Sequence, residues 1–148
     1  MTELRRLSVD DIDEIKSLFR DIFTSKPWND DWSDDGQLEG YIIDIIGNRN
    51  SLALGLYENG VLTGISLGNV MHWYMGTNYY IIELGIKPEC QGRGLGTEFL
   101  RMIEEYIHAN GISCIFLQTE RDMPAYDFYR KNGFDLLDDH VSLTKFLK

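Results

Sequence analysis

A glycine-rich segment in the second half of the chain, residues 91–97, most constrains how the chain can fold. It stands between an apolar, strand-like run at 80–86 and an amphipathic, helix-like run at 95–109. Glycine tolerates positive φ and lets the backbone come close to a ligand, and a helix N-terminus presents unpaired N–H groups and a positive dipole end. The segment therefore predicts a strand–turn–helix cradle for an anion, with phosphate as its natural occupant.

Two well-known phosphate motifs do not fit this segment. A P-loop requires Lys followed by Ser or Thr after its last glycine, whereas Thr97 and Glu98 follow Gly96. A dinucleotide fingerprint requires glycine or alanine three positions after Gly94, where Thr97 stands, and it requires an early βαβ unit that this chain lacks. The segment is therefore either a cradle for a different phosphate-containing ligand or a glycine-rich turn that merely joins strand and helix.

Hydrophobic spacing predicts where the other helices and strands lie. Apolar residues recur at helical spacing over 9–23, behind Ser8 and Asp11, which can cap a helix start reciprocally. Asn59 and Gly60 suit the turn of a β-hairpin. The further predicted elements are a loop at 24–36, helices at 38–46 and 125–131, a turn at 76–78, and strands at 3–7, 51–57, 61–71, 79–87, 112–118, 134–137 and 141–146. The predicted order is βααβββαβαββ.

The composition limits the class of protein. With 148 residues, 43% of them hydrophobic, and no linker-like stretch, the sequence predicts a single domain over 1–148. It shows no apolar leader and no apolar run near the roughly 20 residues that cross a bilayer, so we expect a soluble, cytoplasmic protein without a membrane partner. A net charge of -10 argues against nucleic acid as a partner and favours cationic substrates, although solubility alone accounts for it equally well. The spacing of Cys90 and Cys114 indicates neither a disulfide framework nor a metal site. The sequence does not decide whether the protein forms a homodimer.

Two sequence blocks together resemble one enzyme family. The glycine segment fits the pattern Q/R-x-x-G-x-G/A through Gln91, Gly94 and Gly96, and residues 125–134 are similar to A-x-x-F-Y-x-x-x-G-F. In these blocks, and in the order of its elements, the chain resembles the GNAT superfamily of N-acetyltransferases. The resemblance implies an α/β (α+β) fold with a mixed, mostly antiparallel central sheet of about seven strands flanked by about four helices. It also implies an acetyl-CoA-dependent N-acetyltransferase.

The resemblance implies acetyl-CoA as the cosubstrate, with no metal. Main-chain N–H groups of the glycine segment would hold the pyrophosphate, and a bulge in the fourth strand would free amides for the pantetheine and the acetyl carbonyl. Arg93 would add charge beside the phosphates or would be a solvated arginine, two alternatives that the sequence leaves open. The residues expected to bind the cosubstrate are Leu84, Gly85, Ile86, Gln91, Gly92, Arg93, Gly94, Leu95, Gly96 and Thr97.

Two residues are catalytic candidates. Direct attack by an amine on the acetyl group needs a proton acceptor, and Glu83, at the fourth strand, is the candidate base. The alternative is that Glu83 faces away from the cleft as a partly exposed strand carboxylate. Tyr129 matches the family tyrosine that acts as general acid to the departing thiolate, the alternative being a packing role on its helix. Asp122 stands where many relatives carry Asn.

The loop at 24–36 is the candidate acceptor site, because carboxylates and aromatic faces together suit ammonium groups. The alternative is a solvated acidic loop anchored by buried Trp28, with Tyr41 and Trp73 as core residues. The expected substrate-binding residues are Trp28, Asp30, Asp31, Trp32, Tyr41 and Trp73. These residues and the acidic charge favour a small-molecule amine, such as an aminoglycoside or a polyamine, as the substrate. The alternatives are a protein N-terminal acetyltransferase and a non-catalytic acyl-CoA-binding module.

Overall fold

A computed structural model describes every residue from Met1 to Lys148. The chain separates into two compact units, residues 1–118 and 119–148. None of its helices combines the length and the apolar composition that crossing a bilayer requires. The elements are β1 (Thr2–Leu7), α1 (Ile12–Phe23), α2 (Asp35–Ile46), β2 (Ser51–Glu58), β3 (Val61–Trp73), β4 (Gly76–Ile86), α3 (Leu95–Ala109), β5 (Cys114–Leu117) and α4 (Pro124–Lys131), with 3₁₀ turns at Val9–Asp11 and Pro88–Cys90.

The first unit contains one five-stranded sheet in the order β1-β2-β3-β4-β5. Neighbouring strands run antiparallel except β4 and β5, which are parallel. The predicted mixed, mostly antiparallel sheet and the four predicted helices are confirmed. Pairing between β4 and β5 covers only Asn78 to Ile81 on the β4 side. The second half of β4 therefore has a strand neighbour on its β3 side alone.

Each face of the sheet is covered by different helices. Ile65 and Leu67 of β3 belong to the apolar cluster that contains the buried residues of α1 and α2. Tyr79 and Ile81 of β4 belong to a second cluster, which contains the buried residues of α3. Because side chains alternate along a strand, these clusters lie on opposite faces. We refer to them as the α1/α2 face and the α3 face.

Local signals in the sequence set the starts of two elements as predicted. The Ser8 Oγ accepts a hydrogen bond from the Asp10 N–H at 3.2 Å, and the Asp11 carboxylate accepts one from the Ser8 N–H at 2.8 Å. This reciprocal cap precedes a 3₁₀ turn that leads into α1. Asn59 and Gly60 adopt φ values of 51° and 82°, which the tight turn between β2 and β3 requires.

The turn between β3 and β4 lies earlier than the sequence predicts. Residues 76–78, predicted as the turn, already belong to β4 and pair with residues 71–73 of β3. Tyr74 and Met75 make the turn instead. The sequence suggested a turn at Gly76, but cross-strand hydrogen bonds extend both strands past that position.

The second unit contains α4 and the C-terminal segment. The two final strands predicted at 134–137 and 141–146 are not formed, so the sheet has five strands instead of about seven. Apolar residues of this segment are exposed, with 91% of Leu143 and 90% of Phe146 accessible. Alternating apolar residues give a segment only a tendency towards strand, because a strand also needs a hydrogen-bonded neighbour and a face to bury.

Candidate active site

The glycine segment turns the chain from β4 into α3. Gly92 and Gly94 have φ values of 79° and 77°, and a Cβ added to either would meet nothing within 4 Å. Backbone conformation rather than crowding therefore selects glycine here. Gly94 is the N-cap of α3 and supplies no side-chain cap. The Glu98 N–H makes the first intrahelical bond, to the Gly94 carbonyl at 3.1 Å, so the first-turn N–H groups before it have no partner within the helix.

Gln91 ties the beginning of this segment to the end of β4. Its side-chain amide donates to the Ile86 carbonyl at 3.0 Å. Its main-chain N–H donates to the Pro88 carbonyl at 3.2 Å. Of the amides predicted to hold the pyrophosphate, that of Gln91 is thus already engaged within the protein. The amides from Gly92 onward form the cradle.

Arg93 is paired with a carboxylate of the β2–β3 hairpin. Its Nη2 and Nη1 atoms donate to the two carboxylate oxygens of Glu58 at 2.9 Å and 3.3 Å. This arginine lowers the pKa of Glu58. The structure adds a third possibility to the two that the sequence left open, because the guanidinium joins the glycine segment to the hairpin.

A register shift in β4 lies just before the candidate base. Ile81 pairs with Gly68 of β3 and Glu83 pairs with Leu67, so Ile82 is an extra residue on the β4 side. The bulge expected at Leu84, Gly85 and Ile86 is wrong in position, because these three residues pair regularly with 64–66. The regular ladder resumes as soon as the extra residue has been accommodated.

Gly85 serves close packing rather than a bulge. A Cβ at this position would lie 2.9 Å from the Ile22 Cγ2 of α1. That separation is shorter than a van der Waals contact, so any side chain here would push α1 away from the sheet. Glycine lets α1 lie directly on β4.

Beyond the shift, β4 presents main-chain donors on its open edge. The Lys87 N–H donates to the Thr63 carbonyl of β3 at 2.7 Å. Because backbone groups of a strand point alternately to its two sides, the N–H groups of Leu84 and Ile86 point away from β3. The β5 strand does not extend along that side. These amides are available to a ligand.

Glu83 lies on the α1/α2 face. It is directly opposite Leu67, whose side chain belongs to that core, and opposed residues of paired strands share a face. The side chain is half-buried. Burial raises its pKa from the ordinary 4.5 to about 7, and the negative charge of Asp30 adds to the shift. The sequence could not decide which way Glu83 faces.

Three of the predicted aromatic residues are half-buried on the same face. Trp32 stacks on Tyr41 with ring centroids 5.3 Å apart. Trp28 contacts Phe23 of α1 at 6.0 Å. Burial raises the pKa of Tyr41 to about 12, and the charge of Glu83 contributes to that shift. The indoles therefore pack against α1 and α2, and Tyr41, on which Trp32 stacks, lies close enough to Glu83 to interact with its charge.

The remaining predicted substrate residues separate into different surroundings. Asp30 is exposed, its N–H donates to the Phe23 carbonyl at 2.9 Å, and its charge acts on Glu83. Hydrogen bonds from the Ser33 side chain and from the Ser33 N–H, the latter at 3.0 Å, lower the pKa of Asp31. Trp73 is 58% exposed at the β3–β4 hairpin, where its ring contacts Tyr74 at 5.2 Å. Asp30 is thus the acidic residue of this loop that acts electrostatically on the candidate base.

Three further residues lie on this face, although the sequence analysis did not single them out: Asn69, Tyr80 and Phe116. Tyr80 lies between Asn69 of β3 and Phe116 of β5 in the sheet register. The Tyr80 and Phe116 rings are 5.2 Å apart. A lone asparagine in the apolar pattern of β3 is the signal that could have drawn attention to Asn69.

In the second unit, Tyr129 lies in α4. Its ring contacts those of Phe128 at 5.5 Å and Phe134 at 5.2 Å, and it is half-buried. Phe128 is half-buried as well. Asp122 is exposed ahead of the helix. Packing of the Tyr129 ring is compatible with either role that the sequence left open.

A family comparison decides what kind of enzyme these elements build. Residues 12–134 match the family described as Acetyltransferase (GNAT) family. The chain belongs to the GNAT family. It is accordingly an acetyl-CoA-dependent N-acetyltransferase, as the two sequence blocks predicted.

Individual relatives agree with this assignment. The acetyltransferase SG1711 of Sodalis glossinidius (strain morsitans) is 25% identical over 144 residues, which cover 97% of this GNAT chain and 94% of the relative. Among solved structures, the aminoglycoside acetyltransferase meta-AAC0020, from an uncultured soil metagenomic sample and in complex with sisomicin, has a TM-score of 0.75 at 20% identity, covering 99% of this chain and 97% of that chain. The ribosomal-protein-alanine N-acetyltransferase from Brucella melitensis biovar Abortus 2308 also has a TM-score of 0.75, at 14% identity, covering 99% of this chain and 100% of that chain. At these identities the solved structures show a shared fold.

The geometry of the GNAT chain offers three chemical capabilities. Unbonded N–H groups at the start of α3 can hold phosphate oxygens. The N–H groups of Leu84 and Ile86 on the open edge of β4 can donate to carbonyl oxygens. A carboxyl group with a pKa of about 7, such as that of Glu83, exists at neutral pH partly as the carboxylate that can take a proton from an amine.

Proposed function

We propose that this GNAT enzyme transfers the acetyl group of acetyl-CoA to a primary amine of a small cationic molecule, of the aminoglycoside or polyamine type. The observation that carries the proposal is the half-buried Glu83, with a pKa of about 7, on an aromatic face beside Asp30. Carboxylates and aromatic rings together attract an ammonium group, and a carboxyl group poised near neutrality can deprotonate it. The fold shared with an aminoglycoside acetyltransferase agrees with this substrate class.

On the donor side, the proposal assigns acetyl-CoA to the glycine segment and the edge of β4. The N–H groups of Gly92 to Gly96 would hold the pyrophosphate, with the Thr97 hydroxyl as a further donor. The N–H groups of Leu84 and Ile86 would hold the pantetheine and polarise the acetyl carbonyl. When bound, acetyl-CoA supplies a thioester that an amine can attack.

On the acceptor side, Asp30 and Glu83 would draw the ammonium group towards the stacked rings of Trp32 and Tyr41. Glu83, directly or through a water molecule, would take a proton from the ammonium. The neutral nitrogen then forms a bond to the acetyl carbon, the bond from that carbon to sulfur breaks, and the nitrogen releases its second proton to solvent. The thiolate that leaves takes up a proton, for which we propose the Tyr129 hydroxyl as the donor.

We further propose that residues 1–148 act as one GNAT domain. The family match over 12–134 runs across the boundary between the two compact units, which supports a single functional domain. A fragment ending at residue 118 would contain the cradle and Glu83 but would lack Tyr129. We expect such a fragment to have no acetyltransferase activity.

The test is a thiol-release assay of the purified protein with acetyl-CoA and three classes of acceptor. The classes are aminoglycosides such as sisomicin, polyamines such as spermidine, and peptides with free amino termini. Turnover of either small-molecule class, lost in Glu83→Gln, is the expected result. Turnover of peptides alone would replace this proposal with the runner-up, a protein N-terminal acetyltransferase, whose fold this chain also shares.

A further inference from the structure

Asn69 carries a buried acceptor atom that no group of the protein satisfies. Its Oδ1 atom is shielded from solvent and has no hydrogen-bond partner. Buried polar atoms in folded proteins almost always have a partner, so an orphaned one marks a place where another molecule can bind. Asn69 also follows seven consecutive buried residues, 62–68, in its strand.

The sheet register places Asn69 beside the candidate base. Asn69 follows Leu67 by two positions, so both side chains lie on the α1/α2 face. Glu83 is directly opposite Leu67, and Tyr80 is directly opposite Asn69. Opposed side chains are about 5 Å apart and diagonal ones about 7–8 Å, so one small molecule can reach both Asn69 and Glu83.

Three donors on residues next to Asn69 are already committed to other acceptors. The Tyr80 hydroxyl donates to Gln118 at 3.2 Å. The Ser51 hydroxyl, opposite Asn69 on β2, donates to the Ile45 carbonyl at 2.6 Å. The Asn50 amide donates to the Val70 carbonyl at 3.1 Å. With its neighbours bonded elsewhere, the Asn69 Oδ1 atom is left for a donor that comes with the substrate.

We propose that Asn69 is a specificity-determining residue, whose Oδ1 atom accepts a hydrogen bond from a second N–H or O–H donor of the acceptor. This inference rests on the proposed function and narrows it. Acceptors with a hydroxyl or a second amino group a few carbons from the reacting nitrogen are then preferred to simple alkyl monoamines. A site that hydrogen-bonds such a group discriminates against the analogue that lacks it, because the buried acceptor stays unpaired.

The experiment compares Asn69→Leu with the wild type on three acceptors of matched length: propylamine, 3-amino-1-propanol and 1,3-diaminopropane. We expect kcat/KM for the two bifunctional acceptors to fall by about tenfold, which corresponds to one lost hydrogen bond. We expect kcat/KM for propylamine and the KM for acetyl-CoA to change by less than about twofold. The amino alcohol separates the hydrogen bond from the extra charge of the diamine.

A thermal melt distinguishes this role from a structural one. Leucine has nearly the shape of asparagine and removes the unsatisfied acceptor, so Tm should stay the same or rise. A structural role would instead lower Tm and reduce activity towards all three acceptors alike. Asn69→Asp keeps an acceptor oxygen in place and should retain the preference for bifunctional acceptors. Asn78→Leu in β4 is the control variant, with the preference unchanged.

The failures of the two proposals are separable. If the wild type acetylates no small amine, the proposed function is wrong and this inference is wrong with it. If the wild type acetylates these amines but shows no preference for bifunctional acceptors, or if Asn69→Leu keeps that preference, the role of Asn69 alone is overturned.

Discussion

Arg93, in the middle of the glycine segment, donates to both carboxylate oxygens of Glu58 at the end of β2, at 2.9 Å and 3.3 Å. A planar guanidinium that meets both oxygens of a carboxylate fixes orientation as well as distance. The pair therefore joins the phosphate cradle to the β2–β3 hairpin. We infer that it orders the segment before acetyl-CoA binds.

Removal of either member of this pair should weaken acetyl-CoA binding to the same extent. Both side chains are partly exposed, and exposed pairs contribute little, so we expect KM for acetyl-CoA to rise about two- to fivefold in Glu58→Gln and in Arg93→Ala. The double variant should resemble the single ones, because each removes the same interaction. Steady-state kinetics of all three variants measures this coupling.

A direct role of Arg93 on the phosphates would give a different pattern. Arg93→Ala would then raise KM for acetyl-CoA well above the value for Glu58→Gln. In the absence of Glu58 the guanidinium would be freer to meet the ligand, so Glu58→Gln would leave KM unchanged or lower it. That result would contradict the ordering role.

Gly94 should be required for the cradle through its backbone conformation. At φ 77°, alanine is disfavoured by about 1–2 kcal/mol, so Gly94→Ala should lower stability by that amount and raise KM for acetyl-CoA by at least about tenfold. Gly60→Ala is the matched control, because Gly60 has φ 82° and equally open surroundings in the hairpin turn. Chemical denaturation should show similar losses for both variants, and only Gly94→Ala should affect KM. If Gly94→Ala and Gly60→Ala had equal KM values for acetyl-CoA, the phosphates would have to bind elsewhere.

Features that depend on residues close together in the sequence could be predicted. The reciprocal cap of Ser8 and Asp11 and the positive φ values at Asn59 and Gly60 involve residues a few positions apart. Helix α3 has the predicted bounds, Leu95–Ala109, because one apolar stripe determines it. The candidate cradle was predictable for the same reason, since a glycine turn and the helix after it are both local.

Features that depend on strand pairing could not be predicted. Whether Glu83 faces α1 or α3 depends on the extra residue Ile82, and a shift of one residue reverses the face. The partner of Arg93 lies 35 residues away, and the orphaned atom of Asn69 is defined by what its neighbours bond. The apolar alternation of 134–146 predicted strands that have no partner in the sheet. Each of these outcomes requires the three-dimensional neighbours to be known.

Glu83 should give the reaction a dependence on pH near neutrality. Its pKa of about 7 means that the proton acceptor is lost as pH falls through 7, so kcat/KM should rise with pH across that value. Glu83→Gln should lower kcat/KM by about 100-fold and lose this rise. The amine substrate also titrates with pH, but equally for both enzymes. Dividing the wild-type rate by the Glu83→Gln rate at each pH therefore cancels its contribution. Asp30→Asn should move the midpoint to lower pH, because Asp30 contributes to the raised pKa.

The same carboxyl group should affect folding stability. Its pKa is about 7 in the folded protein against an ordinary 4.5, so the folded state binds more protons than the unfolded state between these values. Stability contributed by this group is therefore lost as pH rises from 4.5 to 7. Glu83→Gln should be more stable than the wild type by roughly 1–2 kcal/mol at pH 8, a figure reduced for solvent screening of a half-buried group, and equal to it at pH 4. Denaturation at both pH values checks the sign of this stability difference. If Glu83 were instead stabilised as a carboxylate, the wild type would be more stable than Glu83→Gln at pH 8.

Tyr129 should be needed for turnover rather than for binding. If its hydroxyl protonates the departing thiolate, Tyr129→Phe should lower kcat by roughly 10- to 100-fold and leave the KM values for acetyl-CoA and amine within about twofold. The ring contacts with Phe128 and Phe134 are retained by phenylalanine, so Tm should change little. Tyr126→Phe is the matched control, a half-buried tyrosine of the same helix, and should keep full activity. An equal loss in both variants, or none in Tyr129→Phe, would assign Tyr129 to packing of α4 and leave water as the proton donor.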